Sequence, residues 1–180
     1  MIILILIIAI ICFIYFNVIP GKGHNVVSWI SLIAILLSIV GIVEHDHNHW
    51  GMTTKTTTTS KQLVSSVSPK LPVLLYQPLG NGTEKIYLYK TDKFDKKYKI
   101  TKTDQTSVKV NKNAKEARVD IKNTRYVYKY SFSQFLFYGF GHDGELKNRE
   151  YVFSVPKNWQ VISVQDMKKL QKQMKEQMQR

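Results

Sequence analysis

Cysteine is almost missing from this chain. Cys12 is the one thiol in 180 residues, so neither a disulfide framework nor a cysteine-based zinc site can form within one copy. Charge is scarce before residue 53: Lys22 is the only basic Lys or Arg there, and Glu44 and Asp46 are the only acids. No stretch shows a Ser/His/Asp order, a glycine-rich nucleotide loop or paired carboxylates with supporting context, so no enzyme class is indicated.

What is present falls into two parts. The mean hydropathy of −0.19 averages a nearly all-apolar segment, residues 2–43, with a later part rich in Lys, Thr, Tyr and Gln. Residues 53–180 hold 25 of the 26 Lys and Arg residues and 11 of the 13 acids, a balance of +14. Such a charge attracts polyanions, among them lipid head groups, cell-wall polymers and nucleic acid.

The segments "IILILIIAIICFIYFNVI" and "VVSWISLIAILLSIVGIV" are each close to the ~20 apolar residues that cross a bilayer. Between them "PGKGHN" supplies helix breakers and polar side chains. Neither run has a polar face, which predicts lipid on all sides and a transmembrane helical hairpin with spans at 2–19 and 26–43. The competing reading is a cleaved signal peptide followed by one span. It wants a basic n-region and a small-residue cleavage site, and neither pattern occurs here. A hairpin sets both termini on one side. The lysines discriminate poorly between orientations, with Lys22 in the loop and Lys55 and Lys61 beyond the second span. An uncharged N-terminus and a Ser/Thr-rich stalk favour an extracytoplasmic domain.

The segment "EHDHNHWGM" follows the second span. If it is extended, His45, His47 and His49 point to one side. If the helix continues, His45 and His49 share a face at i, i+4 and His47 points away. These three histidines are the candidate metal ligands, and His142 or a nearby carboxylate is needed to complete a set. Two other readings stand beside the metal one. The segment suits a polar helix end at a membrane surface, with Trp50 in the aromatic belt. It also suits a protonation switch near the ordinary histidine pKa of ~6.5.

Residues 44–70 read as a His-rich juxtamembrane segment and a Ser/Thr-rich linker, with strand character in part. In "LPVLLYQPLGNGTEKIYLYKT" two apolar segments flank Asn81-Gly82, a favoured hairpin pair. "TRYVYKYSFS" alternates, with Tyr126, Tyr128, Tyr130 and Phe132 on one face, and "FLFYGFGHDGELKNREYVFSVP" predicts a second hairpin turning at Gly141–Gly144. The end opens on Ser163-x-x-Asp166, a loose capping box, and places Met167, Leu170, Met174 and Met178 along one stripe of a basic helix. The expected fold class is therefore α+β: a transmembrane helical hairpin over 1–43, then a basic, mainly antiparallel β domain over 71–180 with a C-terminal helix.

The two spans, "EHDHNHWGM", "LLYQPLGNGTEKIYLYKT" and "VPKNW" together resemble a family of small uncharacterised two-span membrane proteins of lactobacilli and related Gram-positive bacteria, a domain of unknown function. The resemblance covers essentially the whole chain. It implies no catalytic residues, and it implies a multidrug-type efflux permease as a partner. The expected function is that of a membrane-anchored, non-enzymatic accessory protein presenting a basic domain at the membrane surface. Its expected partners are the membrane itself and a membrane transporter or an anionic lipid or wall polymer; nucleic acid is not expected. The alternative is a metal-binding or pH-sensing membrane protein using the histidine cluster, and a divalent metal is the one cofactor under consideration.

Overall fold

The computed structural model of the chain describes residues 1–67, 71–80, 83–92, 94 and 97–178. Among the described residues the elements run α1 (Ile2–Val18), α2 (His24–Asn48), β1 (Met52–Gln62), β2 (Val73–Leu79), β3 (Glu84–Tyr89), β4 (Lys99–Ile100), β5 (Thr106–Lys112), β6 (Arg118–Tyr128), α3 (Ser131–Leu136), β7 (Leu146–Val155), β8 (Gln160–Ser163) and α4 (Val164–Met178). The class is α+β. The chain divides into two compact units: residues 1–55 with 125–147, and residues 56–124 with 148–180.

In the first unit α1 and α2 pack against each other in antiparallel fashion. Ile2, at the start of α1, lies against Gly41 near the end of α2, and Phe16, near the end of α1, meets the His24 ring at 4.9 Å. The tight connection holds because Gly23 takes a left-handed φ of 83° and His24 Nδ1 sits 2.6 Å from the Ile19 carbonyl. Helix α2 has 25 residues and is, among the described residues, the one helix long and apolar enough to cross a membrane. Helix α1 is more apolar still but stops at 17 residues. At 1.5 Å per residue α2 is roughly 37 Å long, more than the ~30 Å of a hydrocarbon core, so its last turn extends past the apolar stretch. That turn is helical, which removes the extended geometry in which His45, His47 and His49 would share a side.

The second unit is built on two four-stranded sheets, ordered β1-β6-β7-β5 and β4-β3-β2-β8. Strands β2 and β3 pair antiparallel, from Leu75 opposite Leu88 to Leu79 opposite Glu84. That pairing is the hairpin expected there, although Asn81-Gly82 itself lies outside the described residues. The core lies where the sheets face each other: Leu74 and Tyr89 from one pack with Val119, Tyr151, Phe153 and Val155 from the other. Strand β2 is buried on both faces, with Leu74 in this core and Val73 and Leu75 packed with Met167 of α4.

The expectation of a mainly antiparallel domain is corrected, because the sheets are mixed. Strand β2 pairs parallel with β8, and β5 pairs parallel with β7. Parallel partners are joined through long connections and leave no turn signature in the sequence, whereas hairpins do. Two further expectations change. Tyr130 and Phe132 do not continue the stripe of Tyr126 and Tyr128, because β6 ends at Tyr128 and α3 begins at Ser131. The residues before Gly141 accordingly belong to α3 and a turn, not to the first arm of a hairpin. The Thr-rich segment is an edge strand, β1, exposed along nearly its whole length. Lys55 and Lys61 on it discourage pairing with another chain. At the other end Ser163 caps α4: its Oγ accepts the Asp166 N–H at 3.0 Å and donates to Asp166 Oδ2 at 2.7 Å. Met167 is buried on the sheet, while Leu170 of the same stripe is exposed.

Candidate functional site: a histidine and carboxylate cluster

The site lies wholly within the first unit, and it starts from how α2 ends. His49 adopts a left-handed conformation (φ 53°, ψ 36°), with its own N–H bonded to the Glu44 carbonyl. The Trp50 N–H bonds the same carbonyl at 3.2 Å. A left-handed residue of this kind closes a helix and throws its side chain off the helical face. Gly51 follows at φ 83°, where a Cβ would come within 3.0 Å of Ser133 Oγ. The chain then enters β1, held by the Lys129 N–H on the Gly51 carbonyl.

The opposing wall is the turn "GHDGE". Gly141 and Gly144 both take positive φ, which any side chain would resist. The Gly144 N–H reaches the Tyr126 carbonyl at 2.8 Å and the Tyr126 N–H returns to the Glu145 carbonyl at 2.9 Å. The Arg125 guanidinium bonds the Gly144 carbonyl at 2.6 Å. These bonds pin the turn to β6 and fix the side chains of His142 and Glu145.

The result is a compact cluster. Glu145 Oε2 lies 2.8 Å from His142 Nδ1 and 3.6 Å from His49 Nε2. The other ring nitrogen of His142, Nε2, lies 3.2 Å from Asp46 Oδ1. One donor atom each from His49, His142 and Glu145 falls within 4.8 Å of the others, a spacing that fits a metal ion. The His49 ring stacks on Tyr126 at 3.7 Å, which sets its plane.

Of the three histidines singled out in the sequence, the structure brings only His49 into this set. His45 is fully buried: its ring stacks on Phe137 at 3.9 Å and its Nδ1 sits 2.8 Å from the Trp50 carbonyl. His47 is exposed on the far side of the helix. Sequence reasoning named His142 as a ligand to be supplied from elsewhere, but did not single out Glu145. The available signal was the i, i+3 pair His142 and Glu145, each directly after a glycine, in "GHDGE".

The charges of the cluster support one another. The hydrogen bond to Glu145, and then that to Asp46, holds His142 above its ordinary pKa of 6.5 in spite of partial burial. The same bond, from the other side, holds Glu145 below its ordinary 4.5. The raised His142 contributes stability that is fully present below 6.5 and is lost as pH rises through its folded value. The lowered Glu145 contributes stability present above 4.5 and lost as pH falls through its folded value. The pair therefore stabilises most between 4.5 and 6.5. With a chelator present, the loss of Tm caused by His142→Gln should be greatest in that window and shrink on both sides of it. A loss that stays constant from about pH 5.5 to about pH 9 would contradict this coupling.

Fold and site together define an α+β protein with, among the described residues, one helix long and apolar enough to cross a membrane and a histidine–carboxylate cluster at the C-terminal end of that helix. The chain belongs to the family described as domain of unknown function (DUF4811), whose model matches residues 21–170, a range that includes α2 and all members of the cluster. No curated protein and no solved structure matches it.

Proposed function

We propose that the protein is a membrane-anchored, non-enzymatic accessory protein, in which α1 and α2 cross the bilayer as a hairpin and tether a basic β unit outside the cytoplasm. The observation that carries this reading is an inverted pattern of burial. The buried positions of α2 are Ser28, Ser31, Ser38, Gly41 and His45, all small or polar. Its exposed positions include Ile30, Ile33, Leu36, Leu37 and Val40, and α1 exposes Ile3, Leu4, Ile7 and Ile11 in the same way. A helix pair in water buries its Ile and Leu and exposes its serines. A pair in lipid gains nothing by hiding Leu and packs instead through small residues. The serine hydroxyls are satisfied within the helix, Ser31 on the Val27 carbonyl and Ser38 on the Ala34 carbonyl, both at 2.8 Å.

Aromatic residues lie at both ends of this pair, as at membrane–water interfaces. Tyr15 and Trp29 are exposed towards one end, and Trp50 at the other. Next to Trp50, α3 and the turn after it expose Phe132, Phe135 and Tyr138, and the Met1 ammonium donates to the Leu136 carbonyl at 2.9 Å. The interfacial α3 thus closes the end of the hairpin. The basic balance of residues 53–180 suits an anionic lipid or wall polymer, or an acidic face of a membrane transporter. The test is two-sided chemical labelling of cysteines placed in the inter-helix loop and in the β unit. The β-unit position should react on intact cells and the loop position should not.

A further inference from the structure

We propose that His49, His142 and Glu145 bind a borderline transition-metal ion of the zinc class, with Asp46 orienting His142. The site is additional to the anchoring role and does not depend on the orientation of the hairpin. The donor set, two imidazole nitrogens and one carboxylate oxygen, suits such an ion and is poor for calcium or magnesium, which prefer oxygen alone.

The distances support it. Ligands at ~2.0–2.1 Å in tetrahedral array lie roughly 3.3 Å apart. Glu145 Oε2 and His49 Nε2 are already 3.6 Å apart, too far for a hydrogen bond and close to the separation across a shared ion. His142 Nδ1 and Glu145 Oε2, at 2.8 Å, need open by only about half an ångström as the ion replaces the proton between them. His49 Nε2 is buried and has no hydrogen-bond partner among the described residues. A buried polar atom in that state is costly, and a metal ion would satisfy it. The remaining nitrogen of His142 then donates to Asp46, the carboxylate–histidine–metal arrangement that fixes the tautomer and raises ligand basicity.

The backbone is built for the same purpose. The left-handed His49 directs its ring away from the helix and towards the turn, and the two positive-φ glycines bring His142 and Glu145 up to meet it. The buried His45 ring lies edge-on to His142 at 5.4 Å and is itself held by stacking on Phe137. An ion here would clamp the C-terminal end of α2 to the β6–β7 turn. Three protein donors leave the fourth tetrahedral position for water.

The experiment uses full-length, detergent-solubilised protein purified without a histidine tag, stripped with chelator and titrated calorimetrically with Zn²⁺. Uptake of one ion per chain is expected. Asp46→Asn should weaken binding on the order of 10–100-fold, and His49→Asn and Glu145→Gln by more than that, because they remove a ligand rather than its support. Asparagine tolerates the left-handed conformation, so His49→Asn leaves the helix end intact. His47→Ala should change nothing. Wild-type protein loaded with Co²⁺ should show the intense visible bands of four-coordinate cobalt, a reading that needs no variant to fold. The proposal is overturned if wild type takes up no Zn²⁺, if those cobalt bands are absent, or if folded His49→Asn and Glu145→Gln bind as wild type does.

Discussion

Replacing Leu37 by arginine is expected to block membrane insertion of α2 while leaving the packing of the helix pair untouched. Leu37 is 67% exposed and sits near the middle of the apolar stretch. In water, exchange of an exposed Leu for Arg changes stability by about ±0.5 kcal/mol at most. At the centre of a membrane helix the same exchange costs roughly 3–4 kcal/mol on insertion scales. That difference is a factor of more than about 100 in the apparent insertion constant. The measurement is a translocon insertion assay on a reporter carrying residues 20–52, comparing wild type with Leu37→Arg and with Lys22→Arg as a loop control. Equal insertion by all three would remove lipid from the environment of this face.

The second large effect lies in the other unit. Phe153 is completely buried, and its ring meets Tyr87 at 5.3 Å and Tyr89 at 5.4 Å from the facing sheet. Phe153→Ala deletes the side chain that fills the space between the sheets, at an expected cost of about 3–5 kcal/mol from lost burial and the cavity left behind. Total stabilities of roughly 5–15 kcal/mol make this a large fraction of what holds such a fold. Trp159 packs against the same core and reports on it by fluorescence. Urea titration of the full chain should show a strongly lowered midpoint for Phe153→Ala, whereas Thr58→Ala on exposed β1 should stay within about 0.5 kcal/mol of wild type. Similar midpoints would mean that the two sheets are not held by this core.

The helices were the most legible part of the sequence, because uninterrupted apolar runs and a Pro-Gly break carry their own signal over short range. The Ser163 cap was legible for the same reason. Unread were the features that depend on distant partners. The parallel pairings of β2 with β8 and β5 with β7 join segments far apart in the chain and have no local signature. Helix α3 spans six residues, too few to display a 3.6-residue period, and its approach through Tyr126 and Tyr128 looks like a strand that continues.

The cluster was half legible. The importance of "EHDHNHWGM" could be seen, but the division of labour among its histidines could not. That division depends on the residue at which α2 stops. Had the helix run on, His45 and His49 would have shared a face; ending at a left-handed His49 separates them, one into an aromatic stack and the other towards His142. Asp46 and His142 stand 96 positions apart, so only the folded chain reveals that they meet.

The hairpin itself is tested most directly by labelling from one side of the membrane. In a Cys12→Ser background that removes the one native thiol, single cysteines are placed at Lys22, between the helices, and at Lys157, exposed in the β unit. Intact cells are treated with a membrane-impermeant maleimide, then permeabilised and treated again. Lys157→Cys should react at once, and Lys22→Cys only after permeabilisation. Reaction of both on intact cells, or protection of both until the membrane is opened, would contradict a hairpin that crosses the bilayer.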